Sequence, residues 1–143
     1  MKQFIFLFLA SLLTMPVLAQ QSQSDVDLAE HHIVFQLTSA DTNVHKMLVR
    51  QLGNVLSAAP NSKVEVVCHS QGIDMLRSNL TVVYPKIKEL TAKGIQFVGC
   101  ENTLRERKIA KEEIIPEAAF VKAGIIEIVK KQEEGWSYIR AAQ

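Results

Sequence analysis

Apolar and polar positions along the chain fall into blocks, and the blocks switch between two periods. Ile33-Val34-Phe35-Gln36-Leu37-Thr38 is a short, largely apolar run of the kind a strand buried on both faces shows. After it, Val44, Leu48, Leu52, Val55 and Leu56 recur at helical spacing, with Asp41 or Thr42 placed to cap the helix. Ala59-Pro60-Asn61 ends that helix, and Val64-Glu65-Val66-Val67-Cys68 reads as a second strand. A less regular stretch over 72–84 contains the helical fragment Ile73-Asp74-Met75-Leu76. Pro85 suits the first turn of the next helix, which carries Ile87 and Leu90, and Gly94 suits the position just past its end. Ile95-Gln96-Phe97-Val98-Gly99-Cys100 is a third strand, after which Asn102 or Thr103 can cap a short helix. Ala118-Ala119-Phe120-Val121 is a fourth strand, and Ile125, Ile126 and Val129 are expected to face inward from the helix that follows. Trp136-Ser137-Tyr138-Ile139-Arg140 alternates and suits a final edge strand. Strands separated by helices imply parallel crossovers, hence an α/β protein built as a three-layer α/β/α sandwich.

The first residues follow a different rule. Lys2 precedes an apolar run over 4–13, Pro16 breaks it, and Val17-Leu18-Ala19 offers small residues where a signal peptidase cuts. The run is shorter than the ~20 residues a membrane-spanning helix needs. A cleavable export signal over 1–19 is therefore expected, then a Gln/Ser-rich flexible tether over 20–30 and one folded domain over 31–143. The expected location is the periplasm, with no membrane association after cleavage. Without Lys2 the 16 Lys plus Arg become 15, equal to the 15 Asp plus Glu. A neutral chain without a basic stripe argues against nucleic acid as a partner.

Ligand sites in open parallel sheets lie beyond the carboxyl ends of the strands. Two strands here end in a cysteine followed by polar residues, Cys68-His69-Ser70-Gln71-Gly72 and Cys100-Glu101-Asn102-Thr103-Leu104-Arg105. A thiol facing a helix start feels partial positive charge, which lowers its pKa and raises its thiolate fraction. Cys100 is thus a candidate nucleophile, with Arg105 and Arg107 able to add to the effect if they fold back. His69 is a candidate acid/base partner on the same rim. Asn102, Thr103, Gly72 and Arg105 are candidate binding residues around it. Two other readings stay open: buried cysteine often only fills space, and Cys68 and Cys100 could form a disulfide if their Cα atoms lie within roughly 7 Å. There is no C-x-x-C, no glycine-rich nucleotide loop and no metal-site spacing among the histidines. No cofactor or metal is expected. Lys130-Lys131 and Glu133-Glu134 read as a solvated helix face.

The segment over 94–105, the opening strand, the strand-loop over 64–72 and the closing Glu134-Gly135-Trp136-Ser137-Tyr138-Ile139-Arg140 resemble the DsrE/DsrF-like family. The Cys-x-Asn-Thr-Leu stretch and the Gly-Trp-x-Tyr-Ile ending are similar to its exported, stand-alone branch. The resemblance implies a mostly parallel five-stranded sheet and assembly into dimers, trimers or hexamers. In the family's sulfur-relay members a cysteine after the third strand carries a persulfide passed between proteins, and that position falls on Cys100. Those members work in the cytoplasm, so an export signal separates this chain from their partners. The reading is then a sulfur carrier or thiol-redox protein using Cys100, with a sulfur-donor or acceptor protein as partner. The alternative is a non-catalytic oligomeric binding module in which Cys100 is structural.

Overall fold

The computed structural model describes residues 26–141. The expected export signal over 1–19 and residues 20–25 of the expected tether lie outside the described residues. Residues 26–30 are irregular, but they are held rather than loose: the Asp27 amide donates to the Ala58 carbonyl (2.8 Å), and the Asn61 side chain donates to the Leu28 carbonyl (2.8 Å).

From there the chain runs β1 (His32–Leu37), α1 (Thr42–Ala58), β2 (Lys63–Cys68), a 3₁₀ helix over Ser70–Leu76 and α2 (Tyr84–Ala92). It continues through β3 (Gln96–Cys100), α3 (Glu101–Arg107), β4 (Ala119–Val121), α4 (Gly124–Glu133) and β5 (Ser137–Arg140). Asp41 caps α1, its carboxylate accepting from the Asn43 amide at 2.8 Å. Pro85 occupies the first turn of α2, and Gly94 follows it with φ +95°, a conformation that L side chains rarely adopt.

The five strands form one all-parallel sheet in the order β4-β3-β2-β1-β5. Three successive steps, β1 to β4, move the same way across the sheet. Right-handed crossovers therefore stack α1, α2 and α3 on one face. The return from β4 to β5 runs the other way and carries α4 alone to the opposite face. The core divides accordingly. Val44, Leu48, Leu52, Ile87, Leu90 and Leu104 pack with Phe35, Val66 and Phe97 on the three-helix face. Ile128 packs with Val34, Val67 and Val98 under α4.

The α4 face corrects two expectations. Ile125, Ile126 and Val129 do not point inward; they are 62%, 53% and 41% exposed. Gly124 and Ile128 are the buried residues, because the helix starts at Gly124 with its backbone seated directly on the sheet, and that seating fixes which stripe faces in. Lys131 is likewise not solvated. Its ammonium lies 3.2 Å from the carboxylate of Glu65, which is buried within β2, and 4.3 Å from the centre of the Trp136 ring.

Candidate functional site

β3 delivers Cys100 to the rim of the sheet, where α3 leaves toward one face and α4 toward the other. Adjacent strands whose connections diverge in this way open a crevice at their carboxyl ends. Here it is a pocket of about 290 Å³ lined by His69, Ser70, Cys100, Asn102, Thr103, Glu106 and residues 123–126. A larger open cleft of about 540 Å³ lies between α1 and α2, away from the strand ends, and is lined by Lys46, Arg50, Lys86 and Lys93. It brings no nucleophile to a strand end, whereas the smaller pocket holds Cys100.

Cys100 is itself the N-cap of α3, which puts Asn102 and Thr103 inside the first turn rather than at the cap. The Gly124 amide, at the start of α4, donates to Sγ at 3.2 Å. This approach needs a glycine. A Cβ on Gly124 would lie 3.1 Å from Val67 Cγ1, 3.2 Å from His69 Cβ and 3.4 Å from Cys100 Cβ. Burial by itself raises the thiol pKa. The Gly124 amide, the Thr103 amide and hydroxyl and the Asn102 amide more than offset it, holding Cys100 below the ordinary thiol value. Of these amides only Gly124 makes an aligned hydrogen bond to Sγ; the Asn102 amide donates to the Lys122 carbonyl at 3.2 Å.

Cys68 has different surroundings. It is fully buried among aliphatic side chains, and burial pushes its thiol strongly up. β2 and β3 are neighbours, yet Cys68 pairs with Gly99 and not with Cys100. That one-residue offset turns the two side chains to opposite faces of the sheet. Both cysteines are free, and the disulfide left open by the sequence is not formed.

Residues 31–141, most of the chain, match the model of the DsrE/DsrF-like family. The chain belongs to the DsrE/DsrF-like family. Among solved structures it is similar to a protein of unknown function from Methanobacterium thermoautotrophicum, with 30% identity and a TM-score of 0.74 over 77% of this chain and 98% of that one. A conserved protein of unknown function from Bacteroides thetaiotaomicron shares the fold at 15% identity, with a TM-score of 0.62 over 76% of this chain and 93% of that one. No curated protein matches.

Within this DsrE/DsrF-like domain the rim residues singled out by sequence separate into two groups. His69, Asn102 and Thr103 line the pocket with Cys100. Gly72 does not: it is buried where a Cβ would fall 2.2 Å from the Leu37 carbonyl oxygen, so it is there to let two backbones touch. Arg105 also stays outside, donating to Asn102 Oδ1 at 2.8 Å on the exposed side of α3. Arg107 folds back, reaching the Ser70 carbonyl (3.1 Å) and the Asp74 carboxylate. Sequence reasoning missed Gly124, Ser70 and Gln36. Ser70 has φ +52°, unusual for a residue with a side chain, and its amide donates to Thr103 Oγ1 at 3.0 Å. Gln36 Nε2 lies 2.8 Å from His69 Nε2.

Proposed function

We propose that this DsrE/DsrF-like protein is an exported carrier of sulfane sulfur that holds it as a persulfide on Cys100. The observation that carries the reading is the Gly124 amide aimed at a thiol whose pKa lies below the ordinary value, in a pocket at the carboxyl end of the sheet. A thiolate is both nucleophile and leaving group, sulfur carriage needs both, and a lowered pKa makes the thiolate easier to form. In loading, the Cys100 thiolate attacks the outer sulfur of a donor persulfide or polysulfide. A new S–S bond forms at Cys100, the donor's S–S bond breaks, and the donor leaves as a thiolate. In unloading, an acceptor thiolate attacks the outer sulfur and Cys100 departs as thiolate. No net electrons are exchanged in either step, and no cofactor is required. The export part of the proposal rests on Lys2, the apolar run over 4–13 and Val17-Leu18-Ala19.

Intact-mass analysis after brief polysulfide treatment tests the proposal. One sulfur added to the native protein and to Cys68→Ser, but not to Cys100→Ser, is expected. Uptake at Cys68, or none at all, overturns it. A second reading, an oligomeric binding module, draws on the exposed Ile125, Ile126 and Val129 of α4. An exposed apolar stripe of this kind suits a contact with a second copy of the chain. The two readings are compatible, since two of these residues also line the mouth of the Cys100 pocket.

A further inference from the structure

Four residues from three segments line up along the rim on the α4 face: Tyr138 of β5, Gln36 of β1, and His69 and Ser70 just after β2. The Tyr138 hydroxyl donates to Gln36 Oε1. With Oε1 turned to Tyr138, Gln36 presents its NH₂ group to His69 Nε2 at 2.8 Å. An amide nitrogen only donates, hence the ring nitrogen facing it must accept and carry no proton. The single proton of the neutral ring then sits on Nδ1, 3.0 Å from Ser70 Oγ.

We propose that Gln36, braced by Tyr138, is a positioning residue that holds His69 as its neutral Nδ1–H tautomer beside Cys100. A second proton on Nε2 would set two donors against each other across 2.8 Å. Burial of the ring acts in the same direction, lowering its pKa below the ordinary histidine value. His69 therefore contributes no positive charge to the pocket, and Cys100 is not one half of a thiolate–imidazolium pair. What steadies the thiolate is a set of neutral donors. The chain of bonds runs on to Thr103: Ser70 accepts from His69 through Oγ, and its left-handed backbone turns its amide onto Thr103 Oγ1 at 3.0 Å. Thr103 in turn is one of the groups that lower the Cys100 pKa.

Other ionisable groups stand around His69, and burial is the cause that lowers its pKa. Glu106 lines the pocket, and Arg140 sits beside Gln36 on β5. Arg107 is engaged by Ser70 and Asp74, Lys122 acts on Glu101, and Glu127 of α4 turns toward Lys131 at 3.9 Å.

This inference takes its function from the carrier reading, but its test does not depend on sulfur uptake. Long-range ¹H–¹⁵N spectra of the histidine rings report tautomer and charge directly, in native protein and in Cys100→Ser alike. His69 is expected as the neutral Nδ1–H form at pH 6. In Gln36→Glu a carboxylate faces Nε2, and the ring pKa is expected to rise by about 1–2 units. On a Cys68→Ser background, alkylation of Cys100 by iodoacetamide at pH 6 is then expected to speed up several-fold, because a cation now stands beside the thiol. Gln36→Met, which keeps the volume and removes the donor, should admit the Nε2–H form without charging the ring. An Nε2–H tautomer or a charged ring in the native protein at pH 6 overturns the assignment. So does a ring titration unmoved by Gln36→Glu in a variant with a native spectrum elsewhere.

Discussion

Two glycine-to-alanine substitutions of identical chemistry should move stability in opposite directions, and only one should touch the thiol. At Gly124 the added methyl meets Val67, His69 and Cys100 at 3.1–3.4 Å, and all three are buried with little room to give. α4 must therefore lift by a few tenths of an ångström. Overpacking of this kind costs about 1–3 kcal/mol, less the few tenths gained by removing a glycine from the first turn of a helix. We expect a net loss of about 1–2 kcal/mol, or a Tm roughly 4–9 °C lower for a domain of this size. The lift also draws the Gly124 amide away from Sγ. A hydrogen bond to a charged acceptor is worth about 1.5–3 kcal/mol, and one pKa unit is about 1.4 kcal/mol. Weakening that bond by half raises the Cys100 pKa by roughly 0.5–1 unit. At Gly53, in the middle of α1, a Cβ would meet nothing within 4 Å. Alanine there should stabilise by about 0.5–1 kcal/mol through helix propensity and leave the thiol as it was. Circular-dichroism melts give the first pair of numbers, and alkylation rate against pH on a Cys68→Ser background gives the second. A Gly124→Ala protein with unchanged Tm and unchanged Cys100 titration would refute the argument that this amide is seated on the sulfur.

Lys131→Met should destabilise by about 3 kcal/mol at neutral pH, because it leaves the Glu65 carboxylate buried without its partner. Burial already raises the Glu65 pKa above the usual carboxylate value despite Lys131. A group raised in the folded state weakens the fold as pH climbs through that folded pKa, so the defect of Lys131→Met should shrink on acidification toward pH 4; urea titrations at pH 7 and pH 4.5 that give the same loss would contradict this. Ile125→Ser with Ile126→Ser should dissociate a homo-oligomer assembled through α4 while leaving a folded monomer, since both side chains are largely exposed in the single chain; light scattering reads the first and circular dichroism the second. Trp136→Ala should instead destabilise the fold, for the ring packs on the core under α4 and against His32 at 5.1 Å between centres.

The rhythm of the sheet was legible because the central strands, buried on both faces, leave largely apolar runs, and because Asp41, Pro85 and Gly94 mark helix ends by their own backbone chemistry. The position of the thiol at a strand end was legible for the same reason. The orientation of α4 was not. Gly124-Ile125-Ile126-Glu127-Ile128-Val129 places four β-branched apolar residues in five positions, and such a run satisfies several helix faces equally well. What decides between them is the seat of Gly124 on the sheet, a tertiary contact. The offset between Cys68 and Cys100 is equally a product of strand pairing. Gln36 and Glu65 did leave a trace, each being a single polar residue inside an apolar strand run, but nothing local connects them to His69 or to Lys131.

The pleat that sets Cys68 and Cys100 on opposite sides of the sheet also decides what happens after Cys100 reacts. With two cysteines in the whole chain, and one of them facing the other core, Cys100 has no resolving thiol within its own fold. A persulfide or sulfenic acid formed there cannot collapse into an internal disulfide. Its lifetime is set by how quickly a thiol from another molecule reaches the pocket, so the oxidised form is discharged at the pace of encounter.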